Sequence, residues 1–397
     1  MTTKQDEKLN SRIGVLDGVR VLAIFIVVTY HFWQQTWIAP IVSVNLPFLE
    51  SLGIYSISFD SLIRYGYDLV DALILLSAVC NFIPYGKAIV LGTEWLSAKK
   101  FYIRRAIRIL PSYYLAVIIA LFTNLINHSY FSKGFMIKDI LCRLSMTSIF
   151  FKDTMNDSLL NGVLWTVQVE VWFYLLIPLI ALGYKKIPVI TSIILFAISG
   201  GSIFAITQYT QAGERYYNDF ILTFSFLYAL GMIIVIVYFY FHKNLQENIY
   251  TKLVGTFLLL GSIFAYGRLL KHYGIEDATK IQLLDRIPRG LIFTVFILGL
   301  MFAFRFVKVI FDNKVIFVLS TITYNMYIWH QFLAVKLKYD MRIPFWEGDV
   351  PPNITGDRVW MWKYAIIITV VSIVVAIATT YLIEKPIAKR LKNKIKL

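Results

Sequence analysis

Residues Gly14–Trp33 read GVLDGVRVLAIFIVVTYHFW. As a helix this apolar run is about 30 Å long, the thickness of a bilayer's hydrocarbon core, so it predicts a membrane span. It nevertheless keeps an arginine, Arg20, and a histidine, His31, which are costly in hydrocarbon and therefore invite a functional explanation. They stand eleven positions apart, close to three helical turns, which places both on one face about 16 Å apart. A neutral imidazole in such a place can accept a proton from a hydroxyl, making His31 a candidate general base. Arg20 is a candidate anion holder, and Asp17, one turn before it, can orient or neutralise the guanidinium.

The rest of the chain repeats the pattern. Of 397 residues, 58% are apolar and 16% charged, which excludes an ordinary water-soluble domain. Ten spans are predicted, near 15–33, 67–84, 109–127, 164–183, 188–207, 219–241, 253–270, 289–307, 315–337 and 363–384. The expected fold is an all-α polytopic bundle, one integral-membrane domain over 1–397, with a polar tail at 1–12 and a basic tail at 386–397. An even number of spans puts both termini on one side. Assigning that side to the cytoplasm places 22 of the 39 Lys and Arg there and 16 outside, in keeping with the positive-inside rule. The net charge of +15 therefore reports topology and anionic lipid, with no nucleic-acid partner expected. The polar start MTTKQDEKLNSR and the long run after it suggest a retained first helix, not a cleaved signal. Cys80, in a predicted helix, and Cys142, in a predicted loop, form neither a disulfide framework nor a metal pattern and read as structural.

Three further clusters carry chemistry. In KKFYIRRAIRILPSYY, before the third span, Arg105 and Arg108 are three apart on one helix face and can grip a diphosphate through forked guanidinium donors, while Arg104 points elsewhere. The competing role for this segment is positive-inside anchoring. In NGVLWTVQVEVWFYLLIPL, Glu170 lies about two turns inside a span, with Trp165, Trp172, Phe173 and Tyr174 as company. A carboxylate there must be neutral, paired or facing a wet cavity; it could pair with an arginine or orient His31. In STITYNMYIWHQF, Tyr327 and His330 are secondary candidates, but with Trp329 they also match an interfacial aromatic belt, the favoured reading for Trp329. His128, His242 and His272 have no metal-like company, and no metal site is expected.

With these places in hand, the chain resembles the acyltransferase-3 family of bacterial integral-membrane acyltransferases over most of its length. The resemblance rests on LDGVRVLAIFIVVTYH, YGYDLVDALILLSA, FYIRRAIRILPSYY, LWTVQVEVWFYLLIPL, TYNMYIWH and YLIEKP, in the family's order. Two positions depart from it: Ala78 stands where glycine is usual, which bears on helix packing, and Thr323 where serine is common. The resemblance implies transfer of an acyl group, usually acetyl, from cytoplasmic acyl-CoA to a hydroxyl of a cell-surface or lipid-linked carbohydrate. It makes Arg20 and His31 the essential pair, with Arg105 and Arg108 as acyl-donor contacts and Glu170 as an active-site carboxylate; Trp165, beside Glu170 in the same span, is a secondary candidate on the residues alone. It also implies a multi-pass protein of the bacterial plasma membrane; the extracytoplasmic SGNH hydrolase-like domain of some relatives is not expected here. The competing function is export of a polysaccharide or lipid-linked sugar, although the inverted repeats and broken helices typical of transporters are not evident.

Overall fold

A computed structural model describes residues 12–38, 43–45, 47, 56–126, 132–210, 214–244, 248–272 and 278–395. Ten long helices carry the fold: α1 (Val15–Thr36), α2 (Leu69–Leu91), α3 (Ala98–Ile126), α4 (Leu164–Lys186), α5 (Pro188–Tyr209), α6 (Ser225–Asn244), α7 (Ile249–His272), α8 (Arg286–Phe302), α9 (Lys314–Val335) and α10 (Arg358–Ala378). The all-α expectation holds apart from a two-stranded antiparallel ribbon after α1, which pairs Ser43–Asn45 with Ser56–Ser58. The third helix begins at Ala98, well before the span predicted at 109–127, so the arginine-rich segment is helical. Cys142, expected in a loop, is buried in the short helix Lys133–Leu144.

Helices α1, α2 and α6 form the centre, where Ala23, Val27, Leu75, Ala78, Phe226 and Leu227 are buried. By contrast α5 and α7 turn Val189, Ile193, Phe204, Phe257 and Phe264 outward. A helix apolar all round is stable with such side chains exposed only where its solvent is lipid.

Among the described residues, eight helices are long and apolar enough to cross a membrane, or nine when the pair Arg286–Phe302 and Arg305–Asp340, bent by 117°, is counted as one span. The sequence had suggested about ten. The difference falls on α8 and α9, and their contacts show that they run in opposite directions. At its start α8 bonds Thr223 through Arg286, and at its end Phe302 meets His242, so it runs alongside α6. Phe311, just before α9, packs on Gly18 of α1, and His330, late in α9, reaches His31. Thus α9 is parallel to α1. Tyr364 donates to the Ala334 carbonyl (3.0 Å) and Asn325 to Glu384 (2.6 Å), so α10 is antiparallel to α9. The start of α1 and the finish of α10 consequently lie at one end of the bundle.

A buried charge network, which hydropathy alone did not reveal, ties α8 to the start of α2. Arg289 donates to Asp71 (2.5 and 2.9 Å) and Asp68 (2.7 Å), while Arg286 reaches Asp71 (3.3 Å) and the Asn218 carbonyl (2.6 Å). Buried guanidinium groups persist only when carboxylates and carbonyls replace their water, as these do. Further along, α2 and α6 approach so closely that a Cβ on Gly231 would lie 2.5 Å from the Cβ of Ala78. The alanine that replaces the expected glycine on α2 is therefore accommodated by a glycine on α6.

Candidate active site

Five of the candidate side chains meet at one cavity of about 100 Å³. Helix α1 contributes Arg20, α3 contributes Arg105 and Arg108, and α4 contributes Glu170. Tyr327 of α9 lines it as well. These groups come from distant positions in sequence, and only the packing of α1, α3, α4 and α9 brings them together.

Arg20 is held on two sides. One guanidinium nitrogen donates to Asp17 (3.1 Å) and the other to the sulfur of Cys80 on α2 (3.1 Å). Asp17 also pairs with Arg12. Asp17 is thus in contact with the guanidinium one turn along, and Cys80, read from the sequence as structural, lines the cavity beside that arginine. Its position became meaningful only when α2 was laid against α1.

On α3 the helical-face argument works. Arg105, half-buried, and Arg108, exposed, both line the cavity, while Arg104, also exposed, does not line it. The Arg105 guanidinium lies over the rings of Phe101 (5.5 Å) and Tyr174 (5.8 Å), an arrangement that fixes the cation without consuming its hydrogen-bond donors.

Glu170 accepts a hydrogen bond from Tyr174, one turn later on α4 (2.7 Å), and the same hydroxyl lies 3.2 Å from Ser77. Among the described residues no ion pair joins Glu170 to an arginine within 4 Å. Nor does it reach His31, so the carboxylate belongs to the Arg20–Arg105 cavity instead of orienting the imidazole. The i to i+4 spacing of Glu170 and Tyr174 was a signal available in the sequence.

His31 lies beyond Ile24, the other α1 residue lining this cavity, at the opposite end of the same helix face. Its Nδ1 is 2.9 Å from the Val27 carbonyl oxygen and 3.1 Å from Nε2 of His330. His330 is completely buried, as nearly are Trp329 (3% exposed) and Tyr327 (7%). An aromatic belt would face the lipid, so that reading fails for all three. The Tyr327 hydroxyl accepts from Thr166 (2.8 Å), both residues lining the cavity, and the Tyr327 ring lies 5.6 Å from that of His330. Trp165 instead packs against Phe224 (6.1 Å between rings) and does not line the cavity. Among the described residues no group of three or more His, Cys, Asp or Glu could hold a metal ion; His128 lies outside them.

Fold and site together define a polytopic helical membrane protein with a small cavity lined by apolar side chains, three arginines and a glutamate, and with a pair of histidines, one further along α1 and one on α9. The family described as "Acyltransferase domain" (Acyl_transf_3) matches residues 13–381, and the chain belongs to this acyltransferase-3 family. It is also 25% identical over 243 residues to the "Putative acetyltransferase ORF330" of Acidianus two-tailed virus, a match covering 60% of this chain and 66% of that protein. No solved structure gives a significant match.

Proposed function

We propose that this chain is a membrane O-acyltransferase that moves an acyl group, most simply acetyl, from cytoplasmic acyl-CoA to a hydroxyl of a cell-surface or lipid-linked carbohydrate. The observation that carries this reading is the convergence of Arg20, Arg105, Arg108 and Glu170 on one cavity in an acyltransferase family member. Three arginines suit the phosphates of a CoA donor, for which forked guanidinium contacts are strong and directional. The cavity is smaller than the roughly 300–1,000 Å³ of sites that enclose whole small molecules. It fits the slender thioester arm, with the nucleotide remaining at the basic mouth around Arg108.

From Arg20 the donor arm extends along α1 for the roughly 16 Å that separates it from His31. There His31 takes the proton of the acceptor hydroxyl as its oxygen attacks the thioester carbonyl. The carbon–sulfur bond breaks, the proton passes from the imidazolium to the departing thiolate, and an ester and free CoA result. Glu170 balances the positive charge of the arginines, and Tyr174 and Ser77 hold it in place.

The whole bundle acts as one catalytic domain in a bacterial plasma membrane, with both termini and the basic cavity mouth facing the cytoplasm. This orientation is supported by the excess of Lys and Arg on that side, and the common end at which α1 starts and α10 finishes is consistent with both tails sharing it. Incubating purified protein with radiolabelled acetyl-CoA and a cell-envelope fraction tests the function. Alkali-labile label in carbohydrate is the expected product; no transfer from any of several acyl-CoA donors would overturn the reading.

A further inference from the structure

We infer that His330 is a positioning residue that fixes the tautomer of His31, making Nε2 of His31 the nitrogen that takes the proton. The inference rests on the role proposed above for His31, but the hydrogen-bond geometry that carries it is independent of any reaction.

Carbonyl oxygens accept hydrogen bonds and never donate. Nδ1 of His330 lies 2.7 Å from the Tyr327 carbonyl oxygen and 3.2 Å from that of Met326, so this nitrogen carries the hydrogen. A neutral imidazole has one N–H, which leaves Nε2 of His330 as a lone pair. That lone pair faces Nδ1 of His31 at 3.1 Å, and the Val27 carbonyl faces the same nitrogen at 2.9 Å. Both neighbours are acceptors, so Nδ1 of His31 must be the donor to each, and its lone pair resides on Nε2. Among the described residues nothing else hydrogen-bonds to that nitrogen. The alternative, a doubly protonated His330 donating to His31, would place the Nδ1 lone pair of His31 against the Val27 carbonyl. It would also bury an imidazolium at a fully buried position.

The arrangement does the work of an orienting carboxylate with a neutral group. As His31 gains a proton on Nε2, its Nδ1–H bond to His330 becomes charge-assisted and strengthens when the positive charge appears. Because His330 uses its only N–H on backbone carbonyls, it cannot pass a proton onward. It holds the ring and polarises it, without touching donor or acceptor. Two backbone carbonyls of α9 set His330, and His330 sets α1's histidine, so the register between two parallel helices fixes which nitrogen reacts.

Two measurements test this in the full-length protein. With ¹⁵N-labelled histidine in lipid nanodiscs, and resonances assigned by loss in the His31→Ala and His330→Gln variants, both residues are expected as neutral Nδ1–H tautomers. Observation of His31 as the Nε2–H tautomer would overturn the inference while leaving acyl transfer untouched. Kinetically, His330→Leu should lower kcat by about 10- to 100-fold, the worth of one charge-assisted hydrogen bond, with KM for acyl-CoA unchanged. His330→Gln, whose carbonyl oxygen can accept the same hydrogen, should recover most of that loss. Equal damage by Leu and Gln, or a loss expressed in KM, would refute the positioning role. If instead His31→Ala retains full transfer while the tautomers are as expected, the function assigned to His31 fails and the geometry stands.

Discussion

Adding one methyl group at Gly231 should loosen the bundle at the helix that carries Ser77 and Cys80 into the cavity. A Cβ there lies 2.5 Å from the Cβ of Ala78 and 3.0 Å from the Val79 amide nitrogen. Carbon atoms in good contact sit about 3.5–4.0 Å apart, so α2 and α6 must separate locally by about 1 Å or more. Neither obstacle is the tip of a flexible side chain, and no rotamer change relieves the clash. Overpacking of this kind costs about 1–3 kcal/mol, of which the better helix propensity of alanine recovers less than about 1. Ala78→Gly alone removes a buried methyl and gives up alanine's helix propensity, so it should cost about 1–2 kcal/mol. The double variant, Ala78→Gly with Gly231→Ala, moves the methyl from one helix to the other at constant volume. It should return to within about 0.5 kcal/mol of the parent, giving a coupling energy of about 2 kcal/mol. Unfolding of the four proteins in one detergent, followed by tryptophan fluorescence, measures this cycle. Equal stability of Gly231→Ala and the parent, or a double variant no better than Gly231→Ala, would refute the close-approach argument.

The other predictions concern the cavity and the buried charges. Arg105→Ala and Arg108→Ala should each weaken acyl-CoA binding about ten- to a hundredfold, and Arg104→Ala much less; equal losses at all three in a binding titration would replace the paired site with a diffuse basic surface. Bound acetyl-CoA should slow maleimide labelling of Cys80, which lines the cavity, while Cys142 stays inert; labelling of Cys80 at an unchanged rate under saturating donor would place the donor elsewhere. Asp71→Asn should cost about 3–5 kcal/mol by leaving Arg286 and Arg289 short of a buried carboxylate, read as loss of monodisperse protein on size-exclusion chromatography; a normal yield and midpoint would show that the network contributes little.

How far the sequence could be read depended on whether a signal was local. Long apolar runs fixed the helices, and the i to i+3 spacing of Arg105 and Arg108 correctly separated them from Arg104. Asp17 beside Arg20 was legible for the same reason. What escaped was set by contacts between distant segments. Nothing near Cys80 announces that Arg20 will bond to its sulfur, and the pairing of Asp71 with Arg286 and Arg289 spans more than 200 positions. Tyr327, Trp329 and His330 resemble a lipid-facing belt because aromatic composition near a span end is the same whether the face is buried or not. Glu170 could be given a place in the site, and its partner Tyr174 stands one turn on in the sequence, but its distance from His31 emerges only from the packing. The span count differed because α8 is short and joins the next helices at a bend of 117°, which the two separate apolar runs at 289–307 and 315–337 did not announce.

The central claim, that His31 performs the proton transfer of an acyl transfer, is tested most directly by comparing the parent and His31→Ala for label moved from acetyl-CoA to envelope carbohydrate. The parent should yield alkali-labile label. His31→Ala should yield none, while acetyl-CoA still protects its Cys80 from maleimide, because the donor cavity at Arg20, Arg105 and Arg108 is untouched. Normal transfer by this variant would contradict the account.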